Sequence, residues 1–263
     1  MGKDAVGNNA DSPVFFDAAG NLYGTTYWGG GGNGNRGMGC GGVYELTPSE
    51  GGVWTETTVH SFSGEADGCS GGNLILGADG NLYGTAGGGS YGNGVVFEMT
   101  PGSGGIWTEE VLDDFKGYGG PKNPFGLVFD ATGNLYGVAS GSGTYKNGLI
   151  FELLPGSGGN WTESIAYIFS ETSDGSGPSG LSFDAAGSLH GVTGNGGSYN
   201  FGTVFTLTPA VGGGWTETVV HNFAGGADGE DPNPTVWDAA GNMFGTTLVG
   251  GAYNYGTAYK IVP

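Results

Sequence analysis

The chain has 263 residues, enough for one large domain or two small ones. Six Lys and Arg stand against 25 Asp and Glu, and this net charge of −19 excludes the basic patches that nucleic acids and anionic membranes require. Glycine supplies 62 residues and proline 11, which without a period would mean disorder; here there is a period, and 13% aromatic residues can fill a core.

The first twelve residues, MGKDAVGNNADS, lack an apolar core, so no signal peptide is read there, and no run of transmembrane length occurs, so membrane insertion is not expected. A short apolar run, PVFF, then leads into DAAGNLYGTT (17–26), a glycine-rich loop, GGVYELTP (41–48) and WTETTVHSF (54–62). The same phrases return. The turn phrase starts at 17, 77, 130, 184 and 238, spacings of 60, 53, 54 and 54. The third phrase returns at 94–101, 148–155, 202–209 and 256–263, and the fourth at 107–115, 161–169 and 215–223. Each is short, rich in β-branched or aromatic residues and bounded by Gly, Pro, Asn or Asp, which predicts strands, named a to d in order. Strand d alternates: Trp215, Glu217, Val219 and His221 share one face, Thr216, Thr218, Val220 and Asn222 the other. No stretch keeps a 3.6-residue period, so helix is not expected.

Four antiparallel strands in about 53 residues are the size of a propeller blade. The expectation is an all-β, five-bladed β-propeller, one domain over 1–263 with four-stranded blades near 13–62, 73–115, 125–169, 179–223 and 234–263. No unit is large enough to bury a core alone. Strand d occurs only four times, so the fifth blade is expected to lack its outermost strand, or to receive one from a neighbouring chain.

The phrases GLVFDATGNLYGVA (126–139), GTVFTLTP (202–209) and WTETVVHNF (215–223) resemble the GloVer-type (choice-of-anchor) tandem repeat of secreted bacterial proteins, over nearly the whole chain. The resemblance implies export, a secreted or cell-surface location and a propeller-like fold. It implies no catalytic residues. The a–b segment is also similar to the NHL-type propeller phrase, which implies that strand a is innermost.

In a blade the a–b and c–d turns share one face, and the b–c and d–a loops share the other. Asp17, Asp130, Asp184 and Asp238 head the a–b turns, with Gly77 in the second unit. A carboxylate there accepts backbone N–H groups, and the glycine supplies a positive φ; a ring of carboxylates around a cation is the alternative.

The b–c loops are where the copies diverge. Tyr91, Tyr145, Tyr199 and Tyr253 stand three residues before the strand-c glycine; the first unit has no tyrosine there, with Trp28 and Met38 nearby. Asn93, Asn147, Asn200 and Asn254 follow, and the d–a loops add Asp67, Asp174 and Asp228. Aromatic faces stack on sugar C–H groups, and amides and carboxylates take hydroxyls in fixed directions. The expected ligand is an extracellular glycan or surface polymer, held at several weak sites through avidity. The alternative is that each tyrosine packs its own loop. Cys40 and Cys69 lie in loops of one face and are expected to form a disulfide, two free thiols being the alternative. No cofactor or metal site is read, and bound calcium has no motif in its favour. His60, His190 and His221 fill repeat slots on strands. GNGNRG (32–37) matches a dinucleotide fingerprint by glycine density alone, with no helix to follow.

An enzyme is not the favoured class. A propeller glycosidase needs non-equivalent carboxylates at its axis, whereas strand a carries Phe15, Phe16, Leu74, Ile75, Leu127, Phe129, Phe183 and Trp237, broken only by Ser182 and Thr235. A polysaccharide hydrolase or lyase built on Asp67, Asp174, Asp228 and Asp231 is one alternative. A structural subunit of a surface assembly or filament, self-associating by strand exchange at the open edge, is the other.

Overall fold

The computed structural model describes residues 7, 9–10, 12–30, 38–117, 120–141, 145–170, 173–238 and 240–262; GNGNRG lies outside them. The chain divides into two compact units, Met1–Leu127 with Ser157–Trp161, and Val128–Gly156 with Thr162–Pro263.

No α-helix occurs among the described residues. The strands form five antiparallel sheets. The first holds β1 (Phe15–Phe16), β2 (Leu22–Thr26), β3 (Gly42–Pro48) and β4 (Trp54–Ser61). The second holds β5 (Cys69–Leu76), β6 (Leu82–Gly87), β7 (Val95–Pro101) and β8 (Trp107–Asp114). The third holds β9 (Lys122–Phe129), β10 (Leu135–Ser140), β11 (Leu149–Pro155) and β12 (Trp161–Ile168), and the fourth β13 (Ser176–Phe183), β14 (Leu189–Asn195), β15 (Thr203–Pro209) and β16 (Trp215–Asn222). In these four sheets spatial order follows chain order, so strands a to d become four-stranded blades. The fold class is an all-β, five-bladed β-propeller.

The fifth sheet differs. Both β17 (Glu230–Pro232) and β18 (Val236–Trp237) pair with β19 (Met243–Val249), and β20 (Ala258–Ile261) pairs on its other side. Strand a is therefore split in two, and among the described residues nothing occupies the place of strand d. Near the N-terminus, Tyr27 N–H donates to the Asn9 carbonyl and Ser12 Oγ bonds Thr25 Oγ1, so this segment follows β2.

The a–b turns close as the Asp and Gly pattern requires. Asp17 Oδ1 accepts the N–H groups of Ala19 and Asn21 at 2.9 and 2.8 Å, and Asp130, Asp184 and Asp238 repeat this. Desolvation pushes the carboxyls of Asp17, Asp130 and Asp184 up, but these hydrogen bonds outweigh it and hold them below the usual value.

Strands b and c are tied by one polar pair per blade. Tyr23 Oη donates to Glu45 at 3.0 Å, Tyr83 to Glu98 at 2.9 Å, and Tyr136 to Glu152. In the fourth blade the pair becomes His190 with Thr206 (2.8 Å), and in the fifth Phe244 with Lys260, whose Nζ lies 5.4 Å from the ring centroid. Each pair faces directly across the ladder, so the two members change together.

The core is built on strand c. Phe97, Met99, Phe151, Leu153, Phe205 and Leu207 are fully buried. The strand-b glycine lies beneath the aromatic: a Cβ at Gly84 would stand 2.4 Å from the Phe97 ring, and one at Gly191 2.6 Å from Phe205. The phenylalanine ending strand d joins one blade to the next. Phe62 meets Phe97 at 5.4 Å between centroids, Phe169 meets Phe205 at 5.1 Å and Phe223 meets Tyr259 at 5.0 Å. Each such buried ring contributes roughly 1.5–3 kcal/mol.

Candidate functional site

The b–c loop of the second blade shows how the loop face is built. Gly92 N–H bonds the Gly89 carbonyl and Gly94 N–H bonds the Gly88 carbonyl, which turns the loop back on itself. Asp114, the last residue of β8, accepts the Ser90 N–H at 3.0 Å, and a Cβ at Gly89 would stand 2.6 Å from its Oδ1. Tyr91 projects from this capped loop, 52% exposed. Asn93 Nδ2 donates to the Tyr91 carbonyl at 2.9 Å. Gly117, at φ +70°, covers the Asn93 amide so closely that a Cβ would stand 2.3 Å from it. Ser90, Tyr91, Asn93, Lys116 and Gly117 line an open cavity of about 420 Å³.

The fourth and fifth blades repeat the loop with one change. Asn222 accepts the Ser198 N–H at 2.7 Å, as Asp114 does for Ser90. Asn200 and Asn254 adopt φ of 63° and 61°, and their Oδ1 atoms accept the N–H groups of Gly196 and Gly250 at 3.2 Å. These amides close their own loops. Tyr199 and Tyr253 project, 59% and 83% exposed. In the third blade Tyr145 is half-buried, its Cβ and backbone over Gly141, where an added Cβ would stand 2.2 Å away. Asn147 Nδ2 donates to the Phe169 carbonyl at 3.4 Å. Trp28 is half-buried and meets Tyr27 edge-on at 4.6 Å.

The four asparagines thus occupy two different columns. Asn93 and Asn147 share the position directly before the strand-c glycine with Cys40, Phe201 and Tyr255. The carbonyl of this residue accepts an N–H from the start of the next strand a: Cys40 from Ser70, Asn93 from Asn123, Asn147 from Gly177 and Phe201 from Asp231. All four donors hold positive φ, between 51° and 67°. The Cys40–Cys69 disulfide, with a sequence separation of 29, reinforces one of these junctions.

The loop acids are also engaged. Asp67 accepts the Ser63 N–H at 2.7 Å and stands 3.4 Å from His60 Nε2. Asp174 is buried and accepts the Ser170 N–H and Oγ together with Tyr167 Oη. Asp228 accepts the Ala224 N–H at 2.8 Å and stands 3.1 Å from His221 Nε2. Two half-buried glutamates on strand d lie within their electrostatic reach. Burial first, and the charge of Asp67 second, push Glu109 up to about 7; burial and Asp174 do the same to Glu217. Among the described residues no group of three or more His, Cys, Asp or Glu is placed to hold a metal ion, and no helix is long and apolar enough to cross a membrane.

Sequence reasoning did not single out Ser90, Lys116 or Gly117. The signal lay in the residue ending strand d, Asp114 or Asn222, whose cap fixes the b–c loop.

The four-strand blades and their loop face define a β-propeller built from tandem repeats. The chain belongs to the Gloeobacter/Verrucomicrobia repeat family, whose model matches residues 71–263. None of the curated proteins matches it. Among solved structures it is similar to a gluconolactonase from Xanthomonas campestris (16% identity, TM-score 0.54, covering 95% of this chain and 71% of that one). It is similar to the PQQ-bound aldose sugar dehydrogenase from Streptomyces coelicolor (15%, TM-score 0.56, 96% and 78%). An ancestral GH74 enzyme aligns with TM-score 0.59 at 12% identity, covering 94% of this chain and 33% of that one. These likenesses show the fold.

Proposed function

We propose that the protein is a secreted, non-enzymatic binding scaffold that holds an extracellular glycan through its b–c and d–a loops. The observation that carries the reading is the second-blade cavity of about 420 Å³, where the exposed Tyr91 ring stands beside Ser90, the Asn93 amide and Lys116. A ring face with polar groups around it matches the alternating C–H and hydroxyl surface of a pyranose. Tyr199 and Tyr253 offer the same ring on other blades, so weak sites add through avidity. The sugar-active proteins among the structural neighbours support a carbohydrate-related role. A hydrolase or lyase fits less well, because Asp67, Asp174 and Asp228 spend their oxygens on loop N–H groups and on His60, Tyr167 and His221. The disulfide agrees with an oxidising, extracellular setting.

A glycan array read with the wild-type chain and with a Tyr91→Ala, Tyr199→Ala, Tyr253→Ala triple variant tests this. Binding to one glycan class, lost in the triple variant while its thermal unfolding is unchanged, is the expected result. Silence across the array, or equal binding by the variant, ends the reading.

A further inference from the structure

We propose that the second blade binds a ligand carboxylate in the place where other blades seat the aspartate of their own d–a loop. Four d–a loops are pinned alike at both ends. At the start, the N–H groups of Phe62, Phe115, Phe169 and Phe223 donate to the carbonyls of Gly41, Gly94, Gly148 and Gly202 at 3.0–3.1 Å. At the end, Ser70, Asn123, Gly177 and Asp231 donate to the carbonyls of Cys40, Asn93, Asn147 and Phe201. The segments between these bonds are of equal length. In them Asp67, Asp174 and Asp228 share one column, and Gly120 holds that column in the second blade.

Two donors meet each aspartate. One is the N–H that follows the strand-d phenylalanine: Ser63 to Asp67 at 2.7 Å, Ser170 to Asp174 at 2.9 Å and Ala224 to Asp228 at 2.8 Å. The other is the side chain two residues before that phenylalanine, His60, Tyr167 or His221. The second blade keeps both donor positions and has lost the acceptor. Among the described residues nothing accepts the Lys116 N–H, and Asp113 Oδ2 is buried without a partner. Gly117 opens the loop at φ +70°, as Gly64 does at +83° and Gly225 at +72°, so the Lys116 N–H keeps the direction of its counterparts.

The charge has changed with the acceptor. Where the other copies have Ser63, Ser170 and Ala224, the copy without the acid has Lys116, one of six basic residues in the chain. Burial and the neighbouring Asp114 push the Asp113 carboxyl up to about 6, and Lys116 draws it partly back; across the ladder Asp113 faces the uncharged Val96. A protonated Asp113 donates as Tyr167 does, whereas an ionised one repels an anion. Lys116 and Gly117 also line the cavity of about 420 Å³ beside Tyr91, which leaves room for the rest of a small acid. A uronate carries its carboxylate on a ring that Tyr91 can stack. That the acid is a sugar rests on the glycan reading above; the carboxylate site does not.

Titration of the full chain with sodium D-glucuronate, sodium acetate and D-glucose, followed at the backbone amides by NMR, tests the proposal. The expected result is a saturable downfield shift of the Lys116 amide with both carboxylates and none with glucose. The amides of Ser63, Ser170 and Ala224, already bonded, stay still. Affinity falls at least about tenfold from pH 5 to pH 8 as Asp113 loses its proton, and Asp113→Asn binds with that dependence removed. An added Cβ at Gly120 meets no described atom within 4 Å, and the backbone there is not left-handed. Gly120→Asp is therefore expected to fold, to shift the Lys116 amide downfield by itself and to abolish binding. A Lys116 amide that ignores both carboxylates, or that responds equally in the Gly120→Asp chain, overturns the proposal. Glucuronate binding no tighter than acetate and unchanged by Tyr91→Ala supports the carboxylate site and ends the glycan reading for this blade.

Discussion

Asp79 stands where a side chain at residue 77 would have to go: a Cβ at Gly77 would lie 2.4 Å from its Oδ1 and 2.7 Å from the Tyr83 ring. The turn aspartate of the second blade has moved two residues along the chain. Asp79 Oδ1 accepts the Asn81 N–H at 3.0 Å and its Oδ2 accepts Tyr83 Oη at 2.7 Å. Restoring the repeat's own residue with Gly77→Asp therefore destabilises the chain, by about 1–2 kcal/mol. The double variant Gly77→Asp, Asp79→Ala recovers most of that loss. Urea unfolding of the three proteins checks both outcomes.

Glu109 and Glu217 set the alkaline limit of stability. Each has a folded pKa near 7, above the ordinary 4.5, so the folded state holds its proton more tightly than the unfolded state. Their stabilising contribution is full below about pH 4.5 and is lost as pH rises through 7. Asp17, Asp130 and Asp184 act in the opposite sense, losing their contribution as pH falls through their lowered values. Stability is expected to peak on the acid side of neutrality. Glu109→Gln stabilises at pH 8 by about 1 kcal/mol, less than the full shift because solvent screens a half-buried site, and leaves stability at pH 4 unchanged. Thermal melts at the two pH values read this.

Asp113 occupies the strand slot that His60, Tyr167 and His221 fill elsewhere. Those three meet Asp67, Asp174 and Asp228 in the following loop. The second blade has Gly120 at the loop position, and Asp113 Oδ2 is buried without a hydrogen-bond partner. Burial, then the neighbouring Asp114, push its carboxyl up to about 6. Asp113→Asn is expected to raise the melting temperature at pH 8 by a few degrees, an effect that fades below pH 5.

Removing the disulfide with Cys40→Ser and Cys69→Ser is expected to cost on the order of 3 kcal/mol, from the unfolded-chain entropy of the loop it closes. Calorimetry with and without a reductant gives the same comparison on the wild-type chain.

The blade pattern was legible because every strand repeats with its glycine, its aromatic and its turn aspartate, and a period read five times corrects local ambiguity. That the fifth sheet holds no strand d among the described residues followed from counting WTET phrases. Less of the site could be read. Asn200 and Asn254 look like Asn93 and Asn147 in the sequence, yet a one-residue offset and a positive φ separate a loop-closing amide from one at a blade junction. Tyr145 aligns with Tyr91 and Tyr199 but lies over Gly141, a difference set by a small neighbour rather than by its own phrase. Lys116 carries no repeat signal at all, and only folding brings it beside Tyr91.

The polar pairs linking strands b and c have an evolutionary corollary. Tyr–Glu, His–Thr and Phe–Lys each pair within one sheet, yet the rings of Tyr23, Tyr83, Tyr136 and His190 also meet Trp107, Trp161, Trp215 and Trp237 of the following copy, so a compensated double change must still suit the next blade. The blade junctions are shared property: the carbonyl of Cys40, Asn93, Asn147 or Phe201 must meet a left-handed residue in the next copy, whatever side chain it bears. After duplication, the interior of one copy can therefore change only in step with the tryptophan of the next, while the backbone joints hold the copies to a common pitch.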